Sequence, residues 1–148
     1  MKRLFSVLIG LAFCTFISYA TASEDQMAMT IHVKANGKTM VFELNTSPAA
    51  RDLYAQLPLS IKVEDYSDNE KIFYPPKKLN TADTPKANAK AGTLAYYEPW
   101  GDVVLFYKDF GSAKGLYELG HVIAGSEHIP GMSGTIQIEK ADKGDTDD

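Results

Sequence analysis

A two-residue turn between two alternating segments is the feature that most constrains the fold of this chain. Asn36-Gly37 is a strong hairpin signal, because both residues tolerate the positive φ that a tight two-residue turn requires. Residues 29–35 and 38–44 alternate apolar with polar side chains. Such alternation buries one face of a strand. The sequence therefore predicts an antiparallel hairpin whose buried face carries Met29, Ile31, Val33, Ala35, Met40, Phe42 and Leu44.

One short helix and several further strands are predicted after the hairpin. Ser47 and Pro48 are typical of a helix N-terminus, and apolar residues recur at helical spacing through residues 49–57. Strands are predicted at 59–66, 92–97, 103–107, 121–124 and 134–139, a helical turn at 116–120 and a loop-rich stretch at 67–91. Short strands at regular spacing with one early helix predict a mostly β fold, a small closed barrel with one or two short helices.

The N-terminal segment has the three parts of a secretory signal. Lys2 and Arg3 form its basic part, residues 4–17 are mostly apolar, and residues 20–22 (Ala-Thr-Ala) match the small-x-small cleavage pattern. The apolar run is shorter than the about 20 residues that a transmembrane helix needs. We expect cleavage of residues 1–22, no stable membrane insertion afterwards, and a periplasmic or secreted location in a bacterium. An uncleaved membrane anchor is the alternative.

The composition of the mature chain excludes several classes of protein. Cys14 is the only cysteine and is lost with the signal, which excludes a disulfide framework. Loss of two of the 15 basic residues leaves 13 against 19 acidic ones, a net charge of −6. This acidic balance gives no footprint for nucleic acid. We expect a flexible lead-in at 23–28, one domain at 29–139 and a disordered acidic tail at 140–148, with the oligomeric state left open.

Seven short motifs follow one another along the predicted domain. They are Asn36-Gly37, Ala49-Ala50-Arg51, Leu57-Pro58-Leu59, Glu70-Lys71, Gly92 to Gly101 (GTLAYYEPWG), Phe106-Tyr107 and Leu119-Gly120-His121-Val122. In their order and spacing, the chain resembles the bacterial cyclophilin-like domain family of small stand-alone proteins. The resemblance implies a cyclophilin-like β-barrel with a ligand groove.

The resemblance implies prolyl isomerase activity only where the groove keeps its arginine, which cyclophilins carry in a Phe-His-Arg stretch. This sequence has no such stretch, and Arg51, the only arginine after the signal, lies in the predicted helix. The groove strand is expected near residues 66–74, which offer Glu70 and Lys71 instead. A lysine is a flexible point charge rather than a planar fork of donors. The leading hypothesis is a binding or accessory protein, with a weak peptidyl-prolyl cis-trans isomerase as the alternative and another enzyme class as a third.

Aromatic residues are concentrated in the segment 96–107. Alternation sends Tyr96 and Tyr97 to opposite faces of their strand, and Trp100 lies in a tight loop. An aromatic concave site suits a peptide segment or a small apolar ligand. Packing of Trp100 against one end of the barrel is the alternative. The residues predicted for the groove are Tyr97, Trp100, Phe106, Tyr74, Lys71 and Glu70.

The sequence predicts no cofactor, no metal site and no assignable catalytic residue. His121 and His128 come nearest to a metal pair, with Glu118 or Glu127, but the sequence has neither close histidine spacing nor a mature cysteine to complete it. A nucleophile elbow and a Gly-rich phosphate loop are also absent from the sequence.

Overall fold

A computed structural model describes residues 28–141, which form nine strands, one helix and one 3₁₀ turn. The strands are β1 (Met29–Ala35), β2 (Lys38–Leu44), β3 (Leu59–Lys62), β4 (Glu64–Tyr66), β5 (Glu70–Phe73), β6 (Thr93–Tyr97), β7 (Asp102–Phe106), β8 (Leu116–Ala124) and β9 (Thr135–Lys140). Helix α1 is Pro48–Ala55 and the 3₁₀ turn is Ser126–His128. Within the described range, no helix has the length and apolar character needed to cross a membrane. The predicted signal, most of the lead-in and all but the start of the tail lie outside the described residues.

The nine described strands form one antiparallel sheet that curls into a nearly closed barrel, in the order β3-β9-β1-β2-β8-β6-β7-β5-β4. Its two edge strands, β3 and β4, are consecutive in the chain and separated only by Val63. Because one residue cannot span an open sheet, the sheet has to curl until its edges meet. The Val63 amide donates to the Gly134 carbonyl at 2.9 Å, next to β9. The predicted mostly β barrel is confirmed.

The first hairpin has the predicted register and buried face. Ala35 pairs with Lys38 across the turn, where Asn36 and Gly37 have φ of 52° and 73°. Every predicted inward side chain of the hairpin is buried except Met29, which is half-buried. Helix α1 begins as predicted, with the Ser47 side chain accepting a hydrogen bond from the Ala50 amide. The helix packs into the same inner core through Ala49, Ala50 and Leu53.

The predicted helical turn at 116–120 is wrong. These residues and the predicted strand at 121–124 form the single strand β8, which pairs with β2 on one side and β6 on the other. Leu116 and Leu119 are three residues apart, a spacing typical of a helix, but the ladders on both sides supply the backbone with its partners.

Two other elements differ from the prediction. The predicted strand at 59–66 breaks at Val63, because the chain leaves one edge of the sheet there and enters the other. The stretch at 67–91, predicted to be rich in loops, contains the strand β5. This strand lacks alternation because it is buried on both faces.

The outer face of β5, β6 and β7 is covered by a second, smaller core. Val103 and Leu105 of β7 belong to the inner core, whereas Val104 and Phe106 belong to the outer one. The chain between β5 and β6 covers this face, since the Ala87 amide bonds the Leu116 carbonyl at 3.0 Å. Part of the loop-rich stretch predicted at 67–91 is thereby fixed against the barrel.

Substitution of Gly120 tests how closely β2 and β8 approach each other. A Cβ at this position would clash with the Glu43 carbonyl oxygen and lie 2.9 Å from the Leu44 Cα. We expect Gly120→Ala to lower the free energy of unfolding in urea by about 1–3 kcal/mol, as overpacking does. Gly131→Ala is the control, since its nearest neighbour, the His128 carbonyl, would be 3.9 Å from the new Cβ. Equal losses of stability in the two variants would contradict the close contact.

Candidate functional site

A pocket of about 230 Å³ lies on the outer face of the sheet, at the margin of the outer core. Strands β4 to β8, the β6–β7 turn and the β7–β8 loop all contribute to it. Strand alternation explains why Asp102 and Val104 face this pocket while Val103 and Leu105 face the inner core. The lining residues are Tyr66, Glu70, Tyr97, Trp100, Asp102, Val104, Phe110, Ala113 and Leu116.

The turn between β6 and β7 places Trp100 at the mouth of the pocket. Tyr97 pairs with Asp102, so the turn is closed by two residues of the lining. The amides of Trp100 and Gly101 both donate to the Tyr97 carbonyl, at 3.2 and 2.9 Å. Gly101 has a φ of 73°, which glycine adopts without strain. The sequence Glu-Pro-Trp-Gly therefore fixes the position of the indole.

Three aromatic side chains, Tyr66, Tyr97 and Trp100, form what we call the aromatic rim. The Trp100 ring centroid lies 5.2 Å from that of Tyr66 and 5.4 Å from that of Tyr97, with interplanar angles of 84° and 76°. Edge-to-face packing of this kind is a favoured arrangement of aromatic rings. Trp100 nevertheless stays 50% exposed, so its ring is a wall of the pocket and not a buried cap of the barrel.

Two carboxyl groups line the pocket together with these rings. Glu70 on β5 is 9% exposed and Asp102 at the start of β7 is 1% exposed. The Oδ1 atom of Asp102 has no hydrogen-bond partner within residues 28–141. Burial raises the pKa of the Asp102 carboxyl, and burial together with the charge of Asp102 raises the pKa of the Glu70 carboxyl. Both carboxyl groups therefore lie where ionisation is disfavoured, and no lysine, arginine or histidine among the described residues lines the pocket to offset this.

The structure brings three of the six predicted groove residues together in the lining: Glu70, Tyr97 and Trp100. Phe106 is fully buried in the outer core, beneath the pocket. Its ring stacks on that of Phe110 with centroids 5.3 Å apart and an angle of 26°. Phe106 thus supports a lining ring without lining the pocket itself.

The other two predicted groove residues, Lys71 and Tyr74, lie outside the lining. Lys71 follows Glu70 on β5, so its side chain points to the opposite face, where it forms an ion pair with Asp65. Tyr74 is 49% exposed. Partial burial and the charges of Asp102 and Glu64 raise the pKa of the Tyr74 hydroxyl.

Several lining residues were missed by the sequence analysis, chiefly Asp102, Tyr66 and Phe110. The sequence does contain an indication for Asp102, because this acidic residue directly precedes an apolar run that is buried on both faces of its strand. Tyr66 and Phe110 are large aromatic residues beside polar loop sequences, where a core role is less easily explained. Their convergence depends on the barrel and has no signature in local sequence.

The histidines do not join the pocket. His121 is exposed on β8, and His128 Nε2 lies 3.3 Å from Glu127 Oε1 on the 3₁₀ turn. Within the described part of the chain, His, Cys, Asp and Glu residues form no group of three or more that could hold a metal ion. The chemistry that the pocket offers is apolar contact, hydroxyl and indole donors, and two carboxyl groups.

Comparisons with known proteins agree with this architecture. The family model described as the cyclophilin-like family matches residues 33–139, and no curated protein matches significantly. A hypothetical protein from Archaeoglobus fulgidus has a similar structure, with a TM-score of 0.61 and 16% identity, covering 80% of this chain and 99% of its own. The crystal structure of the Mimivirus cyclophilin is also similar, with a TM-score of 0.51 and 12% identity, covering 76% of this chain and 87% of the cyclophilin chain. At such identities the likeness concerns the fold alone. The family model matches well over half of this chain, and the chain therefore belongs to the cyclophilin-like family.

Proposed function

We propose that this protein is a binding or accessory protein whose pocket holds a peptide segment or a small apolar ligand without chemical turnover. One observation carries the proposal. Five large apolar side chains are exposed within the described residues, and three of them, Tyr66, Trp100 and Phe110, line the same pocket. Covering such surface removes apolar area from water, so a clustered set of exposed rings favours a ligand.

The size of the pocket limits what can enter it. Its volume of about 230 Å³ is below the about 300–1,000 Å³ typical of sites for drug-sized ligands. One amino-acid side chain or one small ring fits that space. Most of the lining stands on strands or on the tight β6–β7 turn, so little ordering is needed on binding.

Membership of the cyclophilin-like family favours weak prolyl isomerase activity as the second candidate. Catalysis requires donors that favour the twisted amide over the planar one. The lining residues of the described chain include no lysine, arginine or histidine, and Arg51 is exposed on α1. The donors in the lining are indole and tyrosine hydroxyl groups, whose neutral hydrogen bonds are weaker than those of a charged arginine guanidinium. Binding without catalysis therefore ranks first.

We also propose that the protein is exported, because residues 1–22 have the charge, apolar run and cleavage pattern of a signal. We expect expression in a Gram-negative host to give periplasmic protein whose intact mass corresponds to a chain starting at Ser23. Ala22→Arg should block the cleavage, because the peptidase requires a small residue there. Full-length protein confined to the cytoplasm would refute the export proposal.

Removal of the Trp100 ring should weaken binding with little effect on folding. We expect Trp100→Ala to reduce the affinity for the neutral probe 2-phenylethanol about fivefold, in line with the about 1 kcal/mol of an aromatic contact. Titrations followed by ¹H–¹⁵N NMR measure this change. Ile123→Ala is the matched control, since Ile123 is 51% exposed and lies outside the lining. The proposal fails if the wild-type protein shows no binding, or if both variants bind as it does.

Prolyl exchange separates the two candidate functions. We expect the purified protein to leave the cis/trans exchange of a blocked Phe-Pro peptide uncatalysed, with an exchange time on the order of tens of seconds. Exchange spectroscopy by NMR at high protein concentration measures the rate. Acceleration that disappears in a folded Trp100→Ala variant would instead establish the isomerase function.

A further inference from the structure

We propose that the ligand of this pocket is an organic ammonium compound, whose charge is bound by the carboxylates of Glu70 and Asp102 and whose apolar part packs on the aromatic rim. This inference rests on the proposed binding function and adds to it the chemical class of the ligand.

The first argument is the buried carboxyl group of Asp102, one oxygen of which has no hydrogen-bond partner among residues 28–141. Asp102 is 1% exposed, lines the pocket and leaves Oδ1 without a hydrogen-bond partner among residues 28–141. A buried ion is costly unless it is both paired and hydrogen-bonded. A neutral donor would satisfy the oxygen but leave the charge, whereas an ammonium group supplies up to three N–H donors and the opposite charge.

The second argument is the second carboxyl group in the same pocket. Glu70 lines it from the neighbouring strand β5, and burial together with the charge of Asp102 raises the pKa of its carboxyl group. Two like charges in one apolar site disfavour the ionised state of each, and a cation between them relieves both. The same field repels a phosphate or carboxylate ligand, which excludes anions as the preferred class.

The third argument is the set of rings around the carboxylates. The faces of aromatic rings carry negative potential and attract cations, and tryptophan does so best. The rim surrounds the pocket mouth with three rings at steep angles, Trp100 in the middle. Cations are held in proteins by similar aromatic walls.

Within residues 28–141, the chain supplies no cation of its own to this pocket. None of the lining residues is basic within the described part of the chain. The buried Lys71 is the basic neighbour in sequence, and its ammonium group is paired with Asp65 on the opposite face. An external ammonium group therefore has no internal competitor among these residues.

Two shape-matched probes test the inference on the full chain. 2-Phenylethylamine is a cation at pH 7.5, and 2-phenylethanol is its neutral counterpart. Trp100 is the only tryptophan of the sequence, so fluorescence reports on the pocket directly. We expect the amine to bind at least about tenfold more tightly than the alcohol, as charge-assisted hydrogen bonds are stronger than neutral ones.

A blocked lysine amide, titrated in parallel, tests where the ammonium group comes from. Tighter binding of the lysine compound assigns a protein side chain as the source of the ammonium group, and tighter binding of the amine assigns a free small molecule.

A substitution at Asp102 assigns the preference to the carboxylate. We expect Asp102→Asn to reduce the preference for the amine over the alcohol to within about twofold. Glu43→Gln removes a carboxylate of β2 outside the lining and should keep the full preference.

The Asp102→Asn variant should also remain folded. Folding raises the pKa of the Asp102 carboxyl, so its ionisation lowers stability as pH rises through that pKa. The variant should therefore unfold at pH 7.5 at the same temperature as the wild-type protein or a higher one.

The outcomes separate this inference from the proposed function. Equal binding of the amine and the alcohol overturns the ammonium inference and leaves the binding function standing. No binding of the alcohol, the amine or the lysine amide overturns both. A preference for the amine that survives in folded Asp102→Asn and Glu70→Gln variants overturns the role assigned to these two carboxylates.

Discussion

The sheet depends on a single connection, Val63, which joins its two edge strands. β3 and β4 are the first and the last of the nine strands in the sheet order, but only one residue separates them in the chain. A connection that short is possible only when the sheet has curled through a full turn. Closure creates an inner face that must be apolar and an outer face that must be polar or covered. Within the sheet, β8 passes so close to β2 at Gly120 that an added Cβ would clash with the Glu43 carbonyl oxygen.

The pocket follows from the way the outer face of the barrel is covered. β5 and β7 are buried on both sides, because the chain between β5 and β6 and the β7–β8 loop cover part of the barrel. The pocket opens at the margin of this cover, so its walls are strand side chains and its rim is formed by turn and edge residues. Asp102 lies where a buried strand begins, and this position explains how a carboxyl group becomes enclosed without a partner in the described chain.

The fold and the chemistry of the site have different origins. The family model and the two solved structures concern the barrel, and a shared barrel does not fix a function. Cyclophilins carry an arginine in their groove, whereas the sequence analysis expected none in the groove of this chain, and the lining of the described pocket has two carboxyl groups and four aromatic rings. The family alone therefore does not assign a ligand to this pocket.

The sequence by itself determined the first hairpin, the start of α1, the mostly β class, the family and the aromatic turn at Trp100. Each of these rests on a local period or on turn chemistry, which residues a few positions apart can encode. Tertiary structure alone decided that residues 116–120 extend β8, that β5 forms inside a loop-rich stretch, and that Tyr66, Asp102 and Phe110 meet in one pocket. These depend on which strands become neighbours and in what register. Barrel closure sets both, because it brings together segments that are distant along the chain.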